Sequence, residues 1–169
     1  MISVVPPDQI PALTPRLGEI LSACVEGGAS VSFLKPFPPA AGQSYYEKLL
    51  PDFQSGRRLL LGAFLDGQLV GSVQLVLDLP PNQPHRAEVA KLLVAPAARG
   101  QGIAEQLMRA LESVAQQNHK TLLVLDTVPG LPADRLYRRL GYTALGEIPN
   151  FALFPDGSPC STVFFYKQL

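Results

Sequence analysis

The stretch LLVAPAARGQGIA, residues Leu92–Ala104, joins an apolar strand-like segment, Arg86–Val94, to an amphipathic helical segment, Gly102–Gln117. The first N–H groups of a helix have no internal partner and carry a partial positive charge, so together they attract anions such as phosphate. The two glycines of the turn lack Cβ, which lets a diphosphate approach the backbone closely, and the arginine adds a positive charge. The stretch therefore predicts a phosphate-binding turn at the start of a helix.

Other interpretations of this turn are weaker or remain open. An ordinary strand-to-helix turn with a surface Arg99 also fits the pattern. A dinucleotide-binding fingerprint fits less well, because the spacing Gly100-x-Gly102-x-x-Glu105 puts a carboxylate where the third glycine belongs. A Walker A loop is excluded, because no Gly-Lys-Ser/Thr follows the glycines.

The segments around the turn predict a mixed sheet. Asp66-Gly67 lies between two strand-like runs and is the strongest short hairpin signal. A strand–helix–strand unit within an otherwise antiparallel order indicates an α/β fold, with a mostly antiparallel sheet of six to seven strands flanked by about four helices. The predicted strands are Ile2–Val5, Arg58–Leu65, Gln68–Leu79, Arg86–Val94, Thr121–Leu125, Tyr142–Glu147 and Ser161–Lys167. The predicted helices are Pro11–Val25, Ala40–Phe53, Gly102–Gln117 and Ala133–Leu140.

Composition restricts the class of protein. The 169 residues fit one domain, 1–169, and 47% of them are apolar, which suffices for a core. The net charge of zero argues against a nucleic-acid partner. Cys24 and Cys160 lack metal-ligand spacing, so no metal is expected. No secretory signal or membrane-spanning run is present, which predicts a soluble, cytoplasmic protein without a membrane partner.

Two motifs resemble the GNAT superfamily of N-acetyltransferases. The segment Arg99-Gly100-Gln101-Gly102-Ile103-Ala104 matches the family's Arg/Gln-x-x-Gly-x-Gly/Ala, preceded by Leu92-x-Val94-x-Pro96. Downstream, Ala133-x-x-x-Tyr137-x-x-x-Gly141-Tyr142 resembles the family's Ala-x-x-x-Tyr-x-x-x-Gly-Phe/Tyr signature. The resemblance covers about Ala87–Tyr142 and implies a splayed sheet with acetyl-CoA as co-substrate. It implies diphosphate contacts at Arg99, Gly100, Gln101, Gly102, Ile103 and Ala104, and main-chain contacts to the pantetheine arm at Leu92, Leu93 and Val94.

Within the superfamily, the chain most resembles acetyltransferases of the tabtoxin-resistance type. The segments that carry this likeness are Glu26–Val31, Arg86–Val89, Leu125–Thr127 and Thr162–Leu169. The likeness leaves the substrate open, because Ala29–Ala41 is an acceptor-side segment where specificity could differ.

Two carboxylates are candidates for the base that amine acetylation needs. Asp126 follows an apolar strand at its carboxyl end, and Glu88 lies in the neighbouring strand, so both could face the acceptor amine if the strands splay. The tabtoxin-resistance likeness implies the same pair. Alternatively, Glu88 forms an ion pair with Arg86 or Lys91, or Asp126 caps the next turn. His85 is a rival base that also fits an exposed strand end.

Tyr137 is the candidate general acid. Its helix begins after the strand that Asp126 closes, which would bring the phenol near the thioester sulfur so that it could protonate the departing thiolate. The alternative is a tyrosine that packs in the core. Elsewhere, Phe33 and Phe37 look exposed in a loop, Ala29–Pro39, and Asn150 and Phe151 fall in a long connection before the last strand.

The sequence therefore predicts an acetyl-CoA-dependent N-acetyltransferase that acts on a primary amine of a small molecule. The acceptor could be an amino acid, an amino-acid-like antimetabolite or another polar amine. A non-catalytic acyl-CoA-binding module and a protein N-acetyltransferase are the alternatives, and the oligomeric state is left open.

Overall fold

A computed structural model describes all residues, 1–169, as one seven-stranded sheet with helices on both faces. The strands are β1 Ile2–Val4, β2 Arg58–Leu65, β3 Gln68–Val76, β4 Arg86–Val94, β5 Leu122–Thr127, β6 Thr143–Leu153 and β7 Pro159–Gln168. The helices are α1 Ile10–Glu26, α2 Pro39–Lys48, α3 Leu50–Gln54, α4 Ile103–Gln117 and α5 Pro132–Arg139, with a 3₁₀ turn at Pro96–Ala98. No helix is long and apolar enough to cross a bilayer.

The sheet confirms the predicted fold class. Its strand order is β1-β2-β3-β4-β5-β7-β6, and β4–β5 is the single parallel pair. The helix α4 forms the crossover between these two parallel strands, as the strand–helix–strand pattern indicates.

The predicted helix Ala40–Phe53 is wrong in one respect, because it divides at Leu49 into α2 and α3. Pro51 has no N–H to donate to a carbonyl of the preceding turn, so one continuous helix is disfavoured. The chain therefore has five helices rather than about four.

Two cores cover opposite faces of the sheet. On one face, β-strand side chains pack against α4 and α5, with Leu107, Leu123 and Phe165 fully buried. On the other face, α1, α2 and α3 cover Leu60, Leu69 and Leu93. Phe37 belongs to this second core and is only 8% exposed, so the prediction of an exposed Phe37 is wrong. The helix α1 holds it there, since Ser22 Oγ donates to the Phe37 carbonyl oxygen at 2.7 Å.

A β-bulge in β4 changes which side chains face which core. Ala90 pairs with Gln74 and Leu93 pairs with Ser72, so β4 has one residue more than β3 over this stretch. Lys91 lies in the bulge with a φ of 52°. Before the bulge, Ala87 faces the α4 side of the sheet, whereas after it Leu93 faces the α1 side.

The last strands differ from the predicted bounds. β5 continues to Thr127, so Asp126 lies within the strand instead of following it. β6 extends to Leu153, and Asn150 and Phe151 are strand residues rather than parts of a connection. β6 is an edge strand that is exposed along nearly its whole length, so it lacks the apolar alternation that marks a half-buried strand.

Candidate active site

A cleft opens where β4 and β5 separate. The two strands pair only from Arg86–Glu88 to Leu122–Val124, although both continue beyond these residues. The resulting cleft has a volume of about 800 Å³ and lies between the later part of β4, the start of α4, α5 and the chain after α1. Because no strand pairs with this edge of β4 beyond Glu88, its main-chain groups can bind an extended ligand, except that Arg99 and Cys24 already contact the Val94 carbonyl oxygen.

The start of α4 forms one end of this cleft and suits a diphosphate. Gly100 and Gly102 have φ values of 78° and 74°, a left-handed conformation that favours glycine. A Cβ on Gly100 would contact nothing within 4 Å, so the turn is open to the cleft. The N–H of Gln106 donates to the Gly102 carbonyl oxygen, whereas the N–H groups of residues 100–105 have no main-chain acceptor. These free donors at a helix start fit an anionic group.

All but one of the nine residues that the sequence predicts for acetyl-CoA line this cleft. They are Leu92, Leu93, Val94, Arg99, Gly100, Gly102, Ile103 and Ala104, and the exposed Gln101 is absent from the lining. The guanidinium of Arg99 donates from Nε to the Val94 carbonyl oxygen at 3.2 Å. Arg99 is thereby tied to the strand that it follows.

Two further arginines line the same cleft, although the sequence analysis assigns them no role. Arg135 and Arg139 line it from α5, opposite the start of α4. Their i, i+4 spacing places them on one face of the helix, and this spacing is visible in the sequence. The sequence does not show, however, that this face borders the cleft. With Arg99 they give the cleft three positive side chains.

A second, smaller pocket of about 290 Å³ adjoins the first. The two share part of their lining, including Leu92, Thr127 and Ala133. Ser30 also lines both, and its hydroxyl donates to the Leu153 carbonyl oxygen at 3.2 Å, which ties the chain after α1 to β6. No residue of the glycine turn lines the small pocket, which therefore adjoins the larger cleft away from the start of α4.

Asp126 lines the small pocket, on the sheet face opposite Leu125. Its Oδ2 accepts a hydrogen bond from Thr162 Oγ1 at 2.7 Å, and the same hydroxyl lies 3.2 Å from the Thr127 carbonyl oxygen. Thr162 is buried on β7, so it fixes the carboxylate and leaves Oδ1 without a protein partner. Sequence analysis gave Thr162 no role, because the β5–β7 register that brings it to Asp126 is a long-range contact.

Tyr137 combines a core position with access to the small pocket. Its ring packs near Tyr142 and Phe165, with centroid distances of 5.7 and 6.0 Å, so the core-packing alternative holds for the ring. The residue also lines the pocket that contains Asp126. Burial, and then the negative charge of Asp126, raise the pKa of Tyr137 well above its ordinary value. The phenol is therefore protonated throughout the neutral pH range.

Glu88 shares a sheet face with Asp126 but lies outside both pockets. It pairs in register with Val124, two residues before Asp126 on β5. Its Oε1 accepts from Arg86 Nη1 at 2.8 Å, which is the ion pair that the sequence left open, and its side chain is 46% exposed. His85 is exposed and lines neither pocket.

Comparison with known families identifies this arrangement. A sequence profile described as the acetyltransferase (GNAT) family matches residues 29–142, more than half of the chain. The chain belongs to the GNAT acetyltransferase family. The predicted superfamily is thus confirmed, and membership indicates an acetyltransferase that acts with acetyl-CoA.

Solved structures share the GNAT fold. Ribosomal-protein-alanine N-acetyltransferase from Brucella melitensis has a TM-score of 0.80 at 23% identity, over 100% of this chain and 99% of that one. The protein yncA from Salmonella typhimurium, solved with its cofactor acetyl-CoA, has a TM-score of 0.78 at 20% identity, over 100% and 93%. Aminoglycoside 6'-acetyltransferase type Ii has a TM-score of 0.71 at 19% identity, over 99% and 96%. At these identities the likeness concerns the fold.

The residues of the larger cleft fit the acetyl-CoA that GNAT membership implies. The unpaired β4 edge offers main-chain groups to an extended pantetheine arm, and the free N–H groups at α4 offer donors to a diphosphate. The cleft volume of about 800 Å³ is within the range of cofactor sites.

Proposed function

We propose that this GNAT protein transfers the acetyl group of acetyl-CoA to a primary amine of a small molecule. The acceptor is an amino acid, an amino-acid-like antimetabolite or another polar amine. The observation that carries the proposal is the junction of the two pockets, where a cleft of cofactor size meets a small one containing a carboxylate and a protonated phenol. The small volume of the second pocket, about 290 Å³, supports a small acceptor.

Binding of acetyl-CoA is assigned to the larger cleft. The N–H groups at residues 100–105 and the guanidinium of Arg99 hold the diphosphate, while main-chain groups of Leu92, Leu93 and Val94 pair with the pantetheine arm. With acetyl-CoA bound in this way, we expect the thioester to lie where the two pockets meet. Acetyl-CoA supplies an activated acetyl group with a thiolate leaving group.

Asp126 is proposed as the base. An amine attacks only as the neutral form, so the ammonium proton must be removed, directly or through a water. Oδ1 of Asp126 is free for this purpose, while Thr162 holds Oδ2. Glu88 remains in the proposal as a contributor through water, since it faces the same side of the sheet, but Asp126 is nearer to the reaction because it lines the pocket.

Tyr137 is proposed to donate a hydrogen bond to the thioester sulfur and to supply its proton as the bond to carbon breaks. The hydroxyl is protonated at neutral pH and makes no hydrogen bond within the protein, so it is available as a donor. A main-chain N–H of Leu93 or Val94 polarises the carbonyl oxygen, in the manner of an oxyanion hole.

We also propose that the protein is of the tabtoxin-resistance type, that it is cytoplasmic, and that residues 1–169 form one domain. Among the structural neighbours, one is named for a ribosomal-protein alanine and another for an aminoglycoside, so the neighbours do not select an acceptor. The free carboxylate and phenol in the small pocket favour catalysis over acyl-CoA binding alone.

A panel of amines offered with acetyl-CoA tests the proposal, with released thiol as the readout. Thiol release that depends on both the amine and the parent enzyme supports it. The Asp126→Asn variant is the matched control, because it keeps the shape of the side chain. If no amine releases thiol although acetyl-CoA binds, the proposed catalysis is wrong.

A further inference from the structure

Lys91 lines the small pocket and has an unusual backbone conformation. It is the extra residue of the β4 bulge, with a φ of 52°, which is uncommon for a residue with a Cβ. Bulges re-aim side chains next to active sites. Here Lys91 and its hydrogen-bond partner Ser32 both line the pocket that contains Asp126.

The positive charge of Lys91 has no carboxylate partner. Its Nζ donates to Ser32 Oγ at 3.1 Å and lies 5.6 and 5.8 Å from the ring centroids of Phe33 and Tyr45. No carboxylate lies within ion-pairing distance. Burial and the nearby positive charge of Arg58 lower the pKa of Lys91, and the negative charge of Asp126 raises it. The net result is a pKa below the ordinary value for lysine.

A second cation reinforces this local excess of positive charge. Arg58 donates from Nη1 to Gln74 Oε1 at 2.7 Å, but its buried Nε has no hydrogen-bond partner. Arg58 also forms no ion pair. A half-buried lysine beside an incompletely satisfied arginine is costly, and an anion bound at Lys91 would offset that cost.

Lys91 and Asp126 are the only ionised side chains that line the small pocket. One attracts an anion and the other attracts a cationic amine, so the pocket is complementary to a molecule that carries both charges. We propose that the acceptor has a carboxylate, or another anionic group, close to its amine, and that Lys91 binds this anion. The inference rests on the proposed function and narrows its acceptor to the amino-acid class. Simple polyamines and protein N-termini, which lack an anionic group beside the amine, are then disfavoured as acceptors.

Paired acceptors test the inference. Each free amino acid of a panel is compared with its own carboxamide, which keeps the amine and side chain but removes the anion. The amine of a carboxamide is less basic and is more often neutral, so this difference favours the carboxamide and makes a preference for the acid more telling. We expect kcat/KM to be roughly tenfold to a hundredfold higher for the acid in the pairs that react, the range of a charge-assisted hydrogen bond.

The variant Lys91→Met should remove this preference. It keeps the chain length but loses the charge, so KM for the acid should rise about tenfold or more while kinetics with the carboxamide change less than about threefold. Lys91→Arg should retain a preference for the acid. Lys48→Met, at an exposed lysine on α2, is the matched control and should behave as the parent. Thermal unfolding shows that each variant is folded before the kinetics are compared.

The outcomes separate the inference from the function on which it rests. Equal turnover of acids and carboxamides, turnover of simple amines alone, or an unchanged preference in Lys91→Met would overturn the inference and leave the acetyltransferase proposal in place. Absence of thiol release with every acceptor would overturn the small-molecule function and the inference with it.

Discussion

Replacing Gly102 by aspartate tests the diphosphate site at the start of α4. The substitution puts a negative charge into a left-handed turn whose free N–H groups are proposed to hold a diphosphate. A Cβ at this position would lie 3.7 Å from Gln106 Nε2, an ordinary contact, so the side chain fits without a clash. The expected effect is therefore electrostatic, together with a modest cost for a Cβ in the left-handed region, which Asp and Asn tolerate better than most residues.

The electrostatic effect can be bounded by Coulomb's law. Two unit charges about 5 Å apart repel by about 3 kcal/mol at an effective dielectric constant of 20, and by less than about 1 kcal/mol in bulk water. Because the turn is exposed to the cleft, Gly102→Asp should weaken acetyl-CoA binding by roughly tenfold to a hundredfold, between these limits. The loss should shrink as salt is added, because screening weakens an exposed repulsion.

Calorimetric titration with acetyl-CoA measures this effect, and two variants serve as controls. Gly102→Asn has nearly the same shape and backbone cost without the charge, so it should bind far more tightly than Gly102→Asp. Gly67→Asp adds the same charge to a left-handed glycine of the β2–β3 hairpin, outside both pockets, and should bind as the parent does. Parent-like binding by a folded Gly102→Asp protein would refute the diphosphate assignment.

Two further predictions concern the residues proposed to act on the acceptor, and a third concerns Asp134, a buried residue of α5. Tyr137→Phe should lower kcat by roughly tenfold to a thousandfold with acetyl-CoA affinity unchanged, the range for a lost general acid, and parent-like turnover would remove Tyr137 from the chemistry. Asp126→Asn should lower kcat/KM for a cationic amine more than Glu88→Gln does, because only Asp126 lines the pocket, and steady-state kinetics showing the reverse order would contradict this. Asp134→Asn should reduce the free energy of unfolding by about 1–3 kcal/mol at pH 7, and denaturant titrations should show this difference disappearing below about pH 4.

The pH dependence of the Asp134 effect follows from its contacts. The carboxylate is only 6% exposed and accepts from the Gly130 N–H and from Arg138 Nε, each at 2.7 Å. Burial alone would raise the pKa of Asp134, but these two partners lower it below its ordinary value. A lowered folded-state pKa gives stability that is present above the unfolded-state pKa and is lost as pH falls through the folded-state pKa. A constant difference between parent and variant at all pH values would contradict this assignment.

The sequence predicts the fold where local chemistry is strong. The hairpin at Asp66-Gly67 and the strand bounds of Arg86–Val94 agree with β2, β3 and β4, because turn residues and apolar runs act locally. The predicted strand Tyr142–Glu147 corresponds to the first part of β6, but it ends too early, because the exposed edge strand that continues to Leu153 carries no alternation of apolar and polar residues. The sequence pattern also misses the division of the predicted helix Ala40–Phe53 at Leu49, where Pro51 disfavours one continuous helix.

Prediction of the site residues likewise succeeds where the signal is local and fails where it depends on long-range contacts. The glycine turn is readable because helix starts bind anions in any context. The roles of Thr162 and Lys91 are not readable, because they depend on the β5–β7 register and on a bulge that reverses the faces of β4. Glu88 and Asp126 do lie on one sheet face, but their surroundings differ. Glu88 forms an ion pair with Arg86 outside the small pocket, whereas Asp126 lines the pocket. Only the packed structure distinguishes these arrangements.

Transfer of a labelled acetyl group from acetyl-CoA tests the central claim most directly. The parent enzyme is incubated with acetyl-labelled acetyl-CoA and a cell extract separated into small molecules and proteins, and the products are analysed by mass spectrometry. The account predicts label on the amines of small molecules that also carry an anionic group, and slower labelling by Tyr137→Phe and Asp126→Asn than by the parent. Label confined to the protein fraction would contradict it.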